Sequence, residues 1–324
     1  MNATLTRRLR GQIPLLVTAL LLVTMFGAGS VSYEGFFSGQ VLLNLLIDNA
    51  FLLVVAVGMT FVILTGGIDL SVGAVLALST MVSASLVEHH HWPMFAVIPL
   101  VLVIGTAGGW LMGWIIHTFE IQPFIVTLAG MFLARGLCYT ISVESISITD
   151  PTYTSMAQTR IPLPGGTFVS PSAVIVVLVV AAAFVVLHFT RLGRNVYALG
   201  GNEQSALLMG LPVARTKIGV YAISGLCSAL GGVLLTFYTL SGNSLHAVGL
   251  ELDAIAAVVI GGTLLTGGTG YVLGTVLGVL VLGLIQTVIS FQGTLSSWWT
   301  RIVIGALLFV FIVLQRLITT RRRA

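Results

Sequence analysis

Two short polar stretches interrupt this chain where its surroundings are most apolar: TGGIDLSVG, Thr65 to Gly73, and TGGTGYVLG, residues 266–274. Each follows an apolar run and opens another. In each, a further glycine comes six residues after the second glycine, Gly67 to Gly73 and Gly268 to Gly274. Glycine and threonine in this pattern supply bends and hydroxyls, and Asp69 adds a carboxylate. A backbone group left unpaired in hydrocarbon costs several kcal/mol, so an irregular stretch survives there only against protein or a wet cavity. Paired glycine breaks in the two halves of a membrane protein are also a pointer to a transport pathway. Asp69 equally suits a plainer role, capping the helix that opens at Ser71–Val72.

Other polar side chains stand in oily surroundings. Arg135 lies near the middle of FIVTLAGMFLARGLCYTISV. A charge at mid-bilayer costs about 2.5–3.5 kcal/mol even on the gentle insertion scale, so Arg135 must face the interior and find a partner. Asp48, Asp69, Glu144 and Asp253 are the candidates. Asp48 and Asn49 sit about 10 Å of helix inside their run, at about 1.5 Å per residue. Glu251 and Asp253 open AIAAVVIGGTLL as caps or interface residues, and Gln286 comes late in the chain. Trp298 and Trp299 read as an aromatic belt. His89, His90 and His91 are a solvated turn rather than a metal site, because consecutive residues cannot all face one ion. There is no GxxxxGK[ST], HExxH, GxSxG or CxxC pattern, and the sole lysine is Lys217 in ARTKIGV. The chain therefore has no phosphate-cradling loop of its own and no obvious enzymatic constellation.

These residues need elements to hold them, and composition says which. Of 324 residues, 57% are hydrophobic and 7% charged, with a mean hydropathy of +1.08. A soluble domain carries roughly 25% charged residues; this chain cannot cover a water-facing surface and must dissolve in a bilayer, at about 20 apolar residues per helical span. The 37 glycines fit close helix approach in lipid. The expectation is an all-α, polytopic membrane helical bundle in one domain, 1–324. It has about ten spans: 13–33, 41–65, 71–87, 94–116, 124–143, 170–189, 216–240, 251–267, 270–291 and 301–318. The two TGG segments suggest duplicated halves, in parallel or inverted arrangement. Cys138 and Cys227 read as small buried side chains, and the first apolar run as a retained span rather than a signal sequence.

Charge orients the bundle. Arg7, Arg8 and Arg10 precede the first span; Arg191, Arg194, Arg215 and Lys217 flank the 190–215 connection; Arg316, Arg321, Arg322 and Arg323 end the chain. With ten spans and both termini cytoplasmic these fall on one side, and only Arg160 and Arg301 fall near the other, as the positive-inside rule asks. No nucleic-acid partner is expected. The outer connection, 144–169, reads as an ordered loop rather than a helix. The inner one, 190–215, is polar, basic and Gly-rich. It holds one or two helical turns from Asn202 to Met209, with Asn202 as N-cap and Gly210 as stop.

GMTFVILTGGIDLSVGAVLALS (58–79) resembles the signature segment of the membrane permeases of bacterial sugar ABC importers, the ribose, xylose and arabinose type. TLAGMFLARGLCYTISVESISI (127–148), GRNVYALGGNEQSALLMGL (193–211), ELDAIAAVVIGGTLLTGGTGYVLGT (251–275) and FQGTLSSWWTRIVIG (291–305) are similar to the same family in the same order. The run through SSWWT is most similar to its galactofuranose-importing members. The resemblance implies an inner-membrane subunit that moves a monosaccharide, galactofuranose or a related sugar, and is not itself an enzyme. It pairs with a second permease copy or paralogue. A cytoplasmic ATPase subunit binds ATP and Mg, and a periplasmic binding protein delivers sugar. This chain would hold no cofactor. Gly200, Gly201, Asn202, Glu203 and Ala206, with Gly210 after them, resemble the Glu-x-x-Ala-x-x-x-Gly pattern by which such permeases couple to their ATPase; Ser205 departs from it where alanine is common. A neutral sugar asks for hydrogen-bond donors and acceptors, so Asn49, Thr60, Thr65, Asp69, Ser71, Arg135, Asn243, Asp253 and Gln286 are the expected path-lining residues. Two rivals stand beside this reading, an ion-coupled secondary transporter of a small polar solute and a channel-like scaffold.

Overall fold

A computed structural model describes the backbone of residues 2–293 and 298–320 and the side chains of 15–293 and 298–313. The side chains of the basic ends and part of the SSWWT run lie outside the described residues. Local chemistry sets the helix starts. Proline occupies the first turn of three helices at Pro123, Pro151 and Pro171, where its missing N–H costs nothing. Ser38, Asp150, Ser170, Thr190 and Asn202 accept a first-turn N–H as N-caps. The resulting helices are α1 (Asn2–Ser32), α2 (Gly39–Asp48), α3 (Ala50–Leu64), α4 (Val72–Glu88), α5 (Met94–Thr118), α6 (Pro123–Ile141), α7 (Pro151–Gln158), α8 (Pro171–Phe189), α9 (Arg191–Gly201), α10 (Glu203–Leu208), α11 (Val213–Thr239), α12 (Leu250–Ile260), α13 (Val272–Gln292) and α14 (Trp298–Thr320). Four strands of two or three residues complete it: β1 (Ile146–Ser147), β2 (Ile161–Leu163), β3 (Thr167–Val169) and β4 (Ser241–Gly242).

The bundle is all-α, as expected, and the count of ten spans is approximate. Among the described residues six helices are long and apolar enough to cross a membrane, or seven if α2 and α3, bent by 60°, are one span; α4 and α14 offer shorter apolar stretches. The expected span 251–267 is helical only over Leu250–Ile260, after which the chain is irregular to Tyr271. The 144–169 connection is not a plain loop: it folds α7 and the β2–β3 hairpin. The 190–215 connection holds a full helix before the expected turns, because Gly193, Val196 and Leu199 recur at helical spacing and are buried together.

The core forms where small residues let helices touch. On α5, Gly105, Gly109 and Gly113 recur every fourth residue; a Cβ there would lie 2.6 Å from the Gly225 carbonyl oxygen, 2.2 Å from that of Tyr221 and 2.9 Å from the Ile218 Cα. Such stripes are how helices pack when lipid is as apolar as leucine. Every residue of α3 except Phe51 is buried, and Phe95, Val103, Phe132, Leu178 and Phe309 face outward as an apolar belt.

Sense of direction follows from contacts with α13. Thr60 of α3 shares a hydroxyl bond of 2.7 Å with Thr275, and Asn49, at the start of α3, abuts Gly283. Gly261 and Ala257 of the α12 region abut Gly274 and Gly278 in the same reversed order. Both α3 and α12 thus run antiparallel to α13 and parallel to each other. At this level the two TGG segments are related in the parallel sense.

Candidate translocation and coupling sites

The two breaks, 201 residues apart in sequence (Thr65 to Thr266), meet at one end of the bundle. The Gly268 N–H donates to the Leu64 carbonyl at 2.9 Å. Gly66, Gly267 and Gly268 have φ of +83°, +83° and +75°, values only glycine adopts freely. α9 is seated on this junction. A Cβ on Gly200 would fall 1.8 Å from the Leu64 carbonyl oxygen and 2.4 Å from the Gly268 nitrogen. Three residues earlier, the Tyr197 hydroxyl donates to the Gly270 carbonyl at 2.9 Å. α9 therefore contacts both breaks at once.

Above the junction the first break climbs beside α11. Asp69 is fully buried there. Its Oδ1 accepts from the Ser71 N–H at 2.9 Å and the Ser71 hydroxyl at 2.6 Å, and its Oδ2 accepts from the Ser224 hydroxyl at 2.7 Å. Asp69 thus holds Ser71, the residue that precedes α4, and is also a strut to α11; it accepts no first-turn N–H of α4. Tyr221 packs its buried hydroxyl against Gly67, with no hydrogen-bond partner among the described residues.

The nine polar residues expected along a path do not converge. Asn49 is buried at the α2–α3 bend, donating to the Leu45 carbonyl. Thr60 bonds Thr275, and the Thr65 hydroxyl donates to the Val62 carbonyl at 2.7 Å. Asn243 accepts the Leu245 N–H in a turn. Arg135 finds a partner, but none of the carboxylates proposed for it: Nη1 donates to the backbone carbonyls of Ser244 at 2.5 Å and His246 at 2.8 Å. One guanidinium nitrogen thus serves both carbonyls, and these belong to the segment that doubles back along α4. Besides the Asp69–Ser71 pair, among the described residues Asp253 and Gln286 come together, on the wall of one cavity of about 580 Å³ between α12, α13 and α14. Arg301, which the charge pattern set aside as a flanking charge, lines the same cavity.

The candidate coupling segment has the local structure expected of it. Asn202 Oδ1 accepts the Ser205 N–H at 2.7 Å, α10 spans Glu203–Leu208, and Gly210 follows at φ +74°. Ala206 is buried against Leu199 and Val213. Glu203 pairs with Lys217 at 2.5 Å. Leu207, Leu208 and Met209 are left exposed, Leu208 by 89%. Sequence reasoning missed Tyr197, Gly200's packing role, Ser224 and Thr275; the small-residue spacing around them was the available signal.

Membrane-length helices, two touching glycine breaks between shorter ones, and a short amphipathic helix seated on those breaks are the build of a helical membrane permease. The chain belongs to the permease family described as the branched-chain amino acid transport system / permease component, whose model matches residues 41–312. It is a transport subunit rather than an enzyme. It is 48% identical over 311 residues to the inner membrane ABC transporter permease protein YjfF of Escherichia coli (strain K12), covering 96% of this chain and 94% of that one. It is 42% identical to the fructose import permease protein FruG of Bifidobacterium longum, covering 95% and 92%. The ribose import permease protein RbsC of Haemophilus influenzae is 38% identical, with 94% and 93% covered. No solved structure matches.

Proposed function

We propose that this chain moves a monosaccharide across a bacterial inner membrane as the permease subunit of an ABC importer. The names of its relatives, fructose, ribose and D-allose permeases among them, support a sugar over the amino acid of the family's description. The similarity of the 291–305 run favours galactofuranose or a related sugar. A cytoplasmic ATPase holding ATP and Mg grips Gly200 to Gly210 from below, a binding protein delivers sugar from above, and a second permease copy or paralogue completes the pore. Both termini are cytoplasmic.

One observation carries this reading: the segment that resembles an ATPase-coupling helix rests on both glycine breaks at once, through Gly200 and Tyr197. Closure of the ATPase pulls α9–α10, and the breaks repack because they share backbone contacts with it. A nucleotide shifts such an equilibrium only through its different affinity for the two states. The test is uptake of radiolabelled sugar by cells expressing this chain with its neighbouring ATPase and binding protein. Uptake should require ATP and fall when Glu203 or Gly210 is replaced, with the ATPase lost on purification. Uptake driven by a proton gradient without the ATPase would overturn the proposal.

A further inference from the structure

The cavity between α12, α13 and α14 is lined by Asp253, Gln286, Ser290, Thr300, Arg301 and two isoleucines. It exists because α12 starts inside the bundle. After α11 the chain doubles back along α4. Gly242 packs on Thr80 and Met81, the His246 ring meets the Thr80 hydroxyl at 3.3 Å, and the Ala247 carbonyl reaches Gly73. Arg135 clamps this return through two carbonyls. The chain turns at Gly249, φ +86°, with no side-chain cap; the Gly249 carbonyl takes the Leu252 and Asp253 N–H groups, and α12 opens beside the cavity. Discontinuous helices with such termini are where transporters hold polar solutes.

Resting on the importer reading above, we infer that this cavity is where the permease contacts its sugar. At about 580 Å³ it falls within the roughly 300–1,000 Å³ of small-molecule sites. Its chemistry is matched to vicinal hydroxyls: a carboxylate accepts, a guanidinium donates, and an amide and hydroxyls do both. Among the described residues the Gln286 amide and the Asp253 carboxylate make no hydrogen bond and Arg301 no ion pair, so all three are available to a solute. One negative and one positive charge give a neutral wall, suited to a neutral polyol. A zwitterionic amino acid would also satisfy Asp253 and Arg301, but would leave Gln286, Ser290 and Thr300 without a purpose.

The experiment is saturation-transfer NMR on the full chain in lipid nanodiscs, with D-galactose, D-ribose, D-fructose, D-allose and L-leucine as probes. Transfer to at least one sugar is expected, reduced at least fivefold in Gln286→Leu and Arg301→Met and unchanged in Leu178→Ala on the lipid face. Gln286 is exposed and tolerates leucine, so its variant decides if Arg301→Met inserts poorly. Equal transfer in Gln286→Leu and the unaltered chain overturns the assignment, as does transfer to leucine alone or to no probe. In cells, sugar uptake that needs this chain yet survives Gln286→Leu would remove the cavity and leave the importer standing. Leucine uptake in place of sugar would remove both.

Discussion

A methyl group on Gly200 would lie 1.8 Å from the Leu64 carbonyl oxygen, a backbone atom with no rotamer to escape into, while one on Gly201 meets nothing within 4 Å. Neighbouring glycines in the same motif therefore do different work. Gly200→Ala should lower uptake at least tenfold and cost about 1–3 kcal/mol by overpacking, seen as an earlier thermal transition in detergent. Gly201→Ala should leave that transition in place, so any lost ATPase co-purification reads the docking contact alone. Asp69 makes a second residue-scale case. Asp69→Ala strands the Ser71 and Ser224 hydroxyls in the interior, and a buried group losing its partner costs about 1–3 kcal/mol. Asp69→Asn keeps an acceptor for Ser71 and should cost less. Sequence could mark Asp69 as a polar residue in oil, but the partner on α11 is 155 positions away and no local pattern reports it.

Two elements depend on single side chains. Arg135→Ala leaves the Ser244 and His246 carbonyls unpaired and loosens the return segment over 243–249, while 241–242 stay paired through β4 to β1. Amide exchange across that segment should accelerate at least tenfold, with α6 itself unchanged. At the C-terminal end of α4, Glu88 accepts from the Thr149 and Asp150 N–H groups and the Thr149 hydroxyl, fixing the start of α7. Asp150 caps α7, and the Thr152 hydroxyl, with the Tyr153 and Thr152 N–H groups, holds its carboxyl below the usual range against the opposing desolvation. A depressed folded value means the cap contributes above the unfolded carboxylate's pKa of about 3.9 and is lost as pH falls through the folded one. Exchange in 151–158, corrected for its intrinsic rate, should therefore rise as pH drops below about 4 and be insensitive between neutral pH and that point. The α7 cap, Asp-Pro at 150–151, was legible as a turn signal, yet the helix after it was not. Eight residues, PTYTSMAQ, carry too weak a period to outweigh the turn formers on both sides.

Across the whole molecule the outward apolar belt does the solvating. Leu178 is 63% exposed near the middle of α8; Leu178→Lys should cost about 2.5–3.5 kcal/mol of insertion, measured as a smaller membrane-inserted fraction, whereas Leu178→Ala should insert normally. That membrane character was fixed by sequence alone, because 57% hydrophobic against 7% charged residues leaves no water-facing solution. The breaks, the coupling turns around Asn202 and Gly210 and the family were legible too, since glycine, proline and cap residues act locally through their own dihedrals and hydrogen bonds. Tertiary structure decided the rest: that the two breaks touch, that α9 rests on them, that α12 begins inside the bundle, and that Asp253, Gln286 and Arg301 share a cavity. Each of those is a contact between residues remote along the chain, and in lipid such contacts are chosen by the fit of small residues and backbone carbonyls, which period and composition do not encode.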